Sequence, residues 1–322
     1  MWDRLAGRAI AGDAVTRDEA LAVLRSPDEE LPGLLAAAWR VRHRFHGNRV
    51  KVHVLLNAMS GLCPEDCKFC SQSHLAAGDV PRYRLIEKDE IVAAARRAKE
   101  SKAWKFCIVT STRGPNRPQL DAICAAVKEI KRDVGIRVCT SLGILEDGQA
   151  RRLRAAGVDR FNHNLETSRR RFPEVCTTHD YDDRIRTIEA VKAAGMESCA
   201  GGILGLEEGD EDVVDLAFAL RELGVDSIPV NFLDPRPGTP FEGRARPDPR
   251  RCLRALCLFR LVNPTRDIRA AGGREAALRS MQPLALYPCN SIFTNGYLTT
   301  PGNEASTDLK MIEDLGFEAV VD

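Results

Sequence analysis

The 322 residues carry 47 Lys and Arg against 46 Asp and Glu, a formal charge of +1, so no global field draws the chain to nucleic acid or to an anionic membrane. No stretch approaches 18 uninterrupted apolar residues, and residues 1–13 lack the apolar run of a secretory signal, which leads us to expect a cytoplasmic protein. The 11 cysteines, an odd number spread over most of the chain, argue against a disulfide framework and for metal ligation in a reducing compartment.

Residues 1–48 are expected to form a helical extension, with Leu21, Leu24, Leu34, Leu35 and Trp39 at helical spacing. Residues 51–57, Lys-Val-His-Val-Leu-Leu-Asn, alternate and are rich in branched side chains, which gives a first strand. Further strands are predicted at 106–110, 137–140, 160–165, 197–203, 227–232, 267–271 and 290–293. Between and after them, helices are predicted at 87–101, 119–132, 146–156, 181–194, 210–223, 249–261, 275–282 and 308–315. This alternation predicts a parallel sheet with right-handed crossovers, closed as an α/β fold of the (β/α)8 TIM-barrel type over residues 49–322. The proline-rich stretches 234–240 and 246–249 read as one ordered loop, because the strand and helix rhythm resumes directly after them.

Nothing else in the chain is as specific as residues 63–73, Cys-Pro-Glu-Asp-Cys-Lys-Phe-Cys-Ser-Gln-Ser, which follow the first strand at the end where such barrels carry function. Three thiolates at this spacing can hold zinc or one corner of an iron–sulfur cluster. A structural zinc site usually brings a second ligand pair about 12–20 residues on, and none follows here. A four-iron cluster held by Cys63, Cys67 and Cys70 would leave one iron open to a small molecule. That arrangement, with aromatic Phe69 just before the last cysteine, resembles the radical S-adenosylmethionine enzymes.

Cys107, Cys139 and Cys199 each fall inside a predicted strand, where alternate residues point into a barrel and can meet in one layer. They read either as a second metal centre or as small buried hydrophobes. Residues 63–73, Asn-His-Asn-Leu-Glu-Thr-Ser at 162–168, Ser-Ile-Pro-Val-Asn-Phe at 227–232, Gly-Gly-Arg-Glu at 272–275, Asn-Ser-Ile-Phe at 290–293 and Tyr-Leu-Thr-Thr at 297–300 together resemble the biotin synthase family. The resemblance implies a [2Fe-2S] cluster held by Cys107, Cys139, Cys199 and Arg269, beside the [4Fe-4S] cluster and S-adenosyl-L-methionine. A guanidinium is protonated at any ordinary pH, so Arg269 reads equally as an internal cation balancing the cluster. Cys124, Cys252 and Cys257 read as helix core, and Cys176 and Cys289 have no assigned role.

Residues 201–208, Gly-Gly-Ile-Leu-Gly-Leu-Glu-Glu, match the motif these enzymes carry at the fifth strand. The resemblance places Ile203 on the adenine, with Gly201 and Gly205 letting the backbone come close. Asn162 and Asn164, two apart on a strand, share a face, and a ureido ring offers donors and an acceptor suited to their amides. Asn231 is the third such amide, and dethiobiotin is the implied substrate. Glu166 would accept from the ribose hydroxyls, while Arg184 would meet the carboxylate of S-adenosylmethionine or serve only as a solvated helix charge. His163, between the two asparagines, faces the other way and reads as packed. His43, His46, His53, His74 and His179 show no ligand spacing and are assigned nothing.

The implied mechanism is reductive cleavage of S-adenosylmethionine to a 5′-deoxyadenosyl radical, hydrogen abstraction from dethiobiotin, and sulfur capture from the two-iron cluster to close a thiophane ring. The family also implies a flavodoxin- or ferredoxin-type electron donor and a homodimer. Rival readings are a hydrogenase maturase or methylornithine synthase type of radical enzyme, and a non-catalytic iron–sulfur or zinc scaffold.

Overall fold

Strands made of β-branched and cysteine residues bury both faces, as strands of a closed parallel sheet must. In the computed structural model, which describes residues 1–300 and 302–321, these strands close on themselves. The order is β1 (Arg49–Met59), β2 (Lys105–Thr110), β3 (Arg137–Ser141), β4 (Arg160–Asn162), β5 (Glu197–Cys199) continued by β6 (Gly202–Leu204), β7 (Ser227–Phe232), β8 (Asp267–Ala270) and β9 (Ser291–Phe293). All neighbours are parallel, and β9 returns to β1 through Lys51↔Ser291 and His53↔Phe293. The (β/α)8 barrel expected from the sequence is therefore present.

Three details differ from the sequence pattern, the first being that the fourth strand, expected over 160–165, ends at Asn162 and leaves Asn164 in the loop just beyond it. The fifth strand, expected as one run over 197–203, is broken: Cys199 pairs with Ser227, and pairing with β7 resumes only at Gly202↔Val230. At the break, a Cβ on Gly201 would lie 1.9 Å from the carbonyl oxygen of Pro229, so only glycine lets the two backbones approach. Outside the ring, β10 (Glu318–Val320) adds alongside the start of β1. Three residues after a turn glycine are too few to announce a strand by period.

The extension consists of α1 (Trp2–Ala11), α2 (Arg17–Leu24) and α3 (Leu31–His46), the second opened by a capping box between Thr16 and Glu19. Their apolar faces join the same core as α10 (Pro249–Val262). Crossover helices follow the strands: α4 (Lys88–Glu100), α5 (Arg117–Glu129), α6 (Gln149–Ala156), the short α7 (Phe172–Val175), α8 (Tyr181–Ala193), α9 (Asp210–Glu222), α11 (Arg274–Leu278) and α12 (Ala305–Asp314).

The floor of the barrel interior is charged. Glu197 Oε2 accepts from Lys105 Nζ at 2.9 Å and Arg160 Nε at 2.7 Å. Asp267 Oδ2 lies 3.4 Å from both Arg160 terminal nitrogens and from Lys51 Nζ. Lys105, Glu197 and Asp267 each sit two residues before Cys107, Cys199 and Arg269. Side chains two apart on a strand share a face, so the charge layer lies directly beneath the cysteine layer.

Candidate active site

At the C-terminal ends of the strands a cavity of about 290 Å³ is lined by Cys63, Cys67, Cys70 and Phe69 from the loop after β1, by Cys107, Cys139 and Arg269 from the strands, and by Asn162, Asn164, Glu166, Arg184, Ile203 and Asn231. Both cysteine sets thus face one space. Cys199 lies immediately behind the wall, 3.4 Å from Asn162 Nδ2 and 3.9 Å from Arg269 Nη1. Gly201 and Gly205 shape the backbone behind Ile203 and do not themselves line the cavity.

The cysteine loop has no regular structure, so its shape comes from side chains and turns. Cys70 N donates to Cys67 O at 3.1 Å and His74 N to Glu65 O at 3.0 Å. A second set of bonds sews the loop to the segment before α8: Lys68 N donates to Val175 O, and Asp66 Oδ1 accepts from Thr177 N at 2.9 Å and Thr178 N at 3.2 Å. Burial pushes the Cys63 thiol up to about 11 and raises Cys70. Cys67 is raised by its hydrogen bond to Cys176 and then by burial. A bound cation reverses this preference and takes the thiolates. Three soft donors on one loop, with neighbouring space lined by Asn164, Ile203 and Arg184, fit a cluster that keeps one corner for an outside ligand.

The second set is built differently. Cys107 and Cys139 are directly paired across β2 and β3. The bond between them lowers Cys107 and raises Cys139. Arg269 is buried, donates from Nη2 to Ser227 Oγ at 3.1 Å, holds its guanidinium 4.8 Å from the Phe293 ring, and leaves Nε without a partner. Three buried thiols beside a permanent cation with an unspent donor fit an anionic iron–sulfur group.

Glu166 has φ +68°, a region that non-glycine residues rarely occupy, and its buried Oε2 has no partner. Burial raises its carboxyl, with Arg184 and Asn164 opposing. A hydroxyl donor entering the cavity would satisfy that oxygen. Arg184 is buried rather than solvated: Nη1 donates to Asn164 O at 2.7 Å and lies 3.4 Å from Glu166 Oε1. The reading of Arg184 as a helix surface charge is thereby overturned, because α8 turns this face toward the cavity.

The amides are less free than their types suggest. Asn162 Nδ2 donates to Asn164 Oδ1 at 3.1 Å, and Asn162 Oδ1 accepts from Ser141. Asn231 is engaged at both ends, donating to Gly202 O and accepting from Gly272 N. It braces β6 against the loop after β8.

Sequence reasoning passed over Cys176 and His179. Cys176 Sγ is 3.7 Å from Cys67 Sγ and 3.3 Å from His179 Nδ1, and His179 in turn touches Glu65 and Arg184. The signal available was the Thr-Thr-His-Asp run capping the helix that carries Arg184. His53 was also passed over; it is fully buried with neither ring nitrogen partnered.

Residues 58–236 match the Radical SAM superfamily, and residues 229–318 match the Biotin and Thiamin Synthesis associated domain. The chain is 51% identical to a biotin synthase of Anoxybacillus flavithermus over 98% of its own length and 96% of that protein. It is 52% identical to one of Salinibacter ruber, covering 99% of this chain and 89% of the relative. Among solved structures, methylornithine synthase superposes with a TM-score of 0.85 at 20% identity, covering 98% and 97% of the two chains. The FeFe-hydrogenase maturase of Carboxydothermus hydrogenoformans superposes with a TM-score of 0.84 at 16% identity, covering 99% of this chain and 79% of that one. Those two likenesses are of fold.

Proposed function

The chain belongs to the biotin synthase family of radical S-adenosylmethionine enzymes, and from that membership we propose how its residues share the work of inserting sulfur into dethiobiotin. When bound, the four-iron cluster and S-adenosylmethionine supply a one-electron cleavage that yields a hydrogen-abstracting radical. Cys63, Cys67 and Cys70 hold that cluster. Arg184 takes the cofactor's carboxylate in a charge-assisted pair, Glu166 accepts from the ribose hydroxyls with its unpartnered oxygen, and Phe69 and Ile203 form the bed for the adenine, with Gly201 and Gly205 shaping the backbone behind Ile203.

Cys107, Cys139 and Cys199 hold a two-iron cluster as the sulfur source, with Arg269 as its neighbouring donor. Asn162 and Asn164 exchange their mutual hydrogen bond for the ureido ring of dethiobiotin, a swap that leaves no amide unpaired. Asn231 completes this wall while bracing it. Among the described residues no helix is long and apolar enough to cross a membrane. Membership carries three further expectations: a flavodoxin- or ferredoxin-type electron donor, a homodimer and a cytoplasmic location.

The observation that supports this division most directly is that one cavity is lined from both cysteine sets. Its test is Mössbauer spectroscopy with iron and sulfide content on anaerobically prepared parent and Cys139→Ala protein. The parent should show four-iron and two-iron signals, and the variant should lose only the second along with biotin formation. A four-iron signal alone in both would reduce the strand cysteines to core packing.

A further inference from the structure

We propose that His179 is a positioning residue for S-adenosylmethionine, tying Arg184 to Glu65 of the cluster loop so that the order of that loop sets the cofactor's affinity. The inference rests on the reading of Arg184 as the partner of the cofactor's carboxylate.

His179 is buried, and both ring nitrogens are used. Nδ1 meets Glu65 Oε2, and Nε2 lies 3.1 Å from Arg184 Nε. A guanidinium can only donate and an ionised carboxylate can only accept. The neutral imidazole is therefore protonated on Nδ1, donating to Glu65 and accepting from Arg184. One tautomer serves both neighbours.

Glu65 stands between Cys63 and Cys67, and it is held in turn by Thr178 Oγ1 at 2.6 Å and Arg113 Nη1 at 3.1 Å. On the other side of the imidazole, Arg184 is fixed at two nitrogens, Nε by His179 and Nη1 by the Asn164 carbonyl. Two anchored nitrogens fix the guanidinium plane. Among the described residues no hydrogen bond is made by Nη2, and Arg184 lines the cavity. The donors left over therefore serve a ligand there.

Without the imidazole, Arg184 and Glu65 are a cation and an anion separated by the space the ring filled. Arg184 then swings to Glu65 and away from the cavity. Loss of a hydrogen bond to a charged group corresponds to about ten- to a hundredfold in affinity.

The experiment measures equilibrium binding of S-adenosylmethionine, and of its decarboxylated analogue, to anaerobic cluster-loaded protein without reductant or dethiobiotin. Parent, His179→Ala, His179→Gln and Arg184→Ala are compared at matched iron and sulfide content. His179→Ala should weaken S-adenosylmethionine by about ten- to a hundredfold and leave the analogue unchanged. His179→Gln, which keeps a donor and an acceptor, should recover most of the loss. The proposal is overturned if His179→Ala binds S-adenosylmethionine within about twofold of the parent, or if it loses both ligands equally. Failure of both His179 variants to hold the four-iron cluster also overturns it, since the residue then serves only the loop. If Arg184→Ala itself keeps full affinity, the assignment of Arg184 has failed instead.

Discussion

Asp267→Asn tests whether the charge layer under the cysteines is an electrostatic unit. The carboxylate is 4% exposed, lies 3.4 Å from Arg160 and from Lys51, and accepts from Asn290 Nδ2 at 2.9 Å. Burial pushes its carboxyl up, but Arg160, Lys51 and Arg269 outweigh that and hold it well below the usual carboxylate range. Asparagine can keep the bond from Asn290 while removing the charge, which leaves Arg160 and Arg269 buried and undercompensated. Breaking one partner of a buried ion pair costs about 3–5 kcal/mol. With about 2.1 cal/mol/K of unfolding entropy per residue over the 322 residues, that corresponds to a fall in Tm of about 4–7 °C. The assay is urea unfolding of metal-free protein, with Asp215→Asn as the control. Asp215 pairs with Arg17 where both side chains are about half exposed, a setting worth about 0–1 kcal/mol. If Asp267→Asn loses no more than this control at an unchanged denaturant slope, the reasoning is refuted.

Three further outcomes follow from the same geometry. Arg160 and Lys105 outweigh burial at Glu197 and hold it at about 2 instead of 4.5; a depressed carboxylate stabilises the fold above its unfolded value and loses that contribution as pH falls. Glu197→Gln should therefore be less stable than the parent at pH 7, yet lose less stability in urea titrations between pH 4.5 and 2. Gly201→Ala would place a methyl 1.9 Å from Pro229 O, so it should cost about 3 kcal/mol or more and show as loss of folded yield and of the thermal transition. Glu166→Gln should raise the KM for S-adenosylmethionine by about tenfold, the worth of one charge-assisted bond, with cluster content unchanged.

The barrel was legible because strand and helix patterns alternate along the chain, and the cysteine triplet was legible because its spacing is rare. The charge layer was not. Lys105, Arg160, Glu197 and Asp267 open their strands, where a charge reads as the solvated end of an element; only closure of the sheet turns them inward. Arg184 stayed open for the same reason, between a cofactor contact and a solvated charge on an amphipathic helix, until its burial decided against the second. His179 was invisible for a different reason: its partners Glu65 and Arg184 lie 114 residues before it and 5 after it, and a single histidine carries no spacing to read. The break in the fifth strand is a matter of backbone contact, which no side-chain period records.

Layering also explains why Arg269 can stay a cation beside thiols. In and under the cysteine layer, Lys51, Lys105, Arg160 and Arg269 face only Glu197 and Asp267 as carboxylates, an excess of two positive charges in which Lys105, Arg160, Arg269 and Asp267 are buried while Lys51 and Glu197 reach solvent. Buried cations in such excess are unfavourable unless anions join them. His53 answers by staying neutral, its pKa pushed well down by burial and by Arg269. The thiols of Cys107, Cys139 and Cys199 are the remaining groups able to supply negative charge, which they do once they bind metal. Ligation of that layer would bring negative charge beside the charged floor, so loss of the two-iron cluster proposed for it should destabilise the barrel floor, and Asp267→Asn should make that loss cost more.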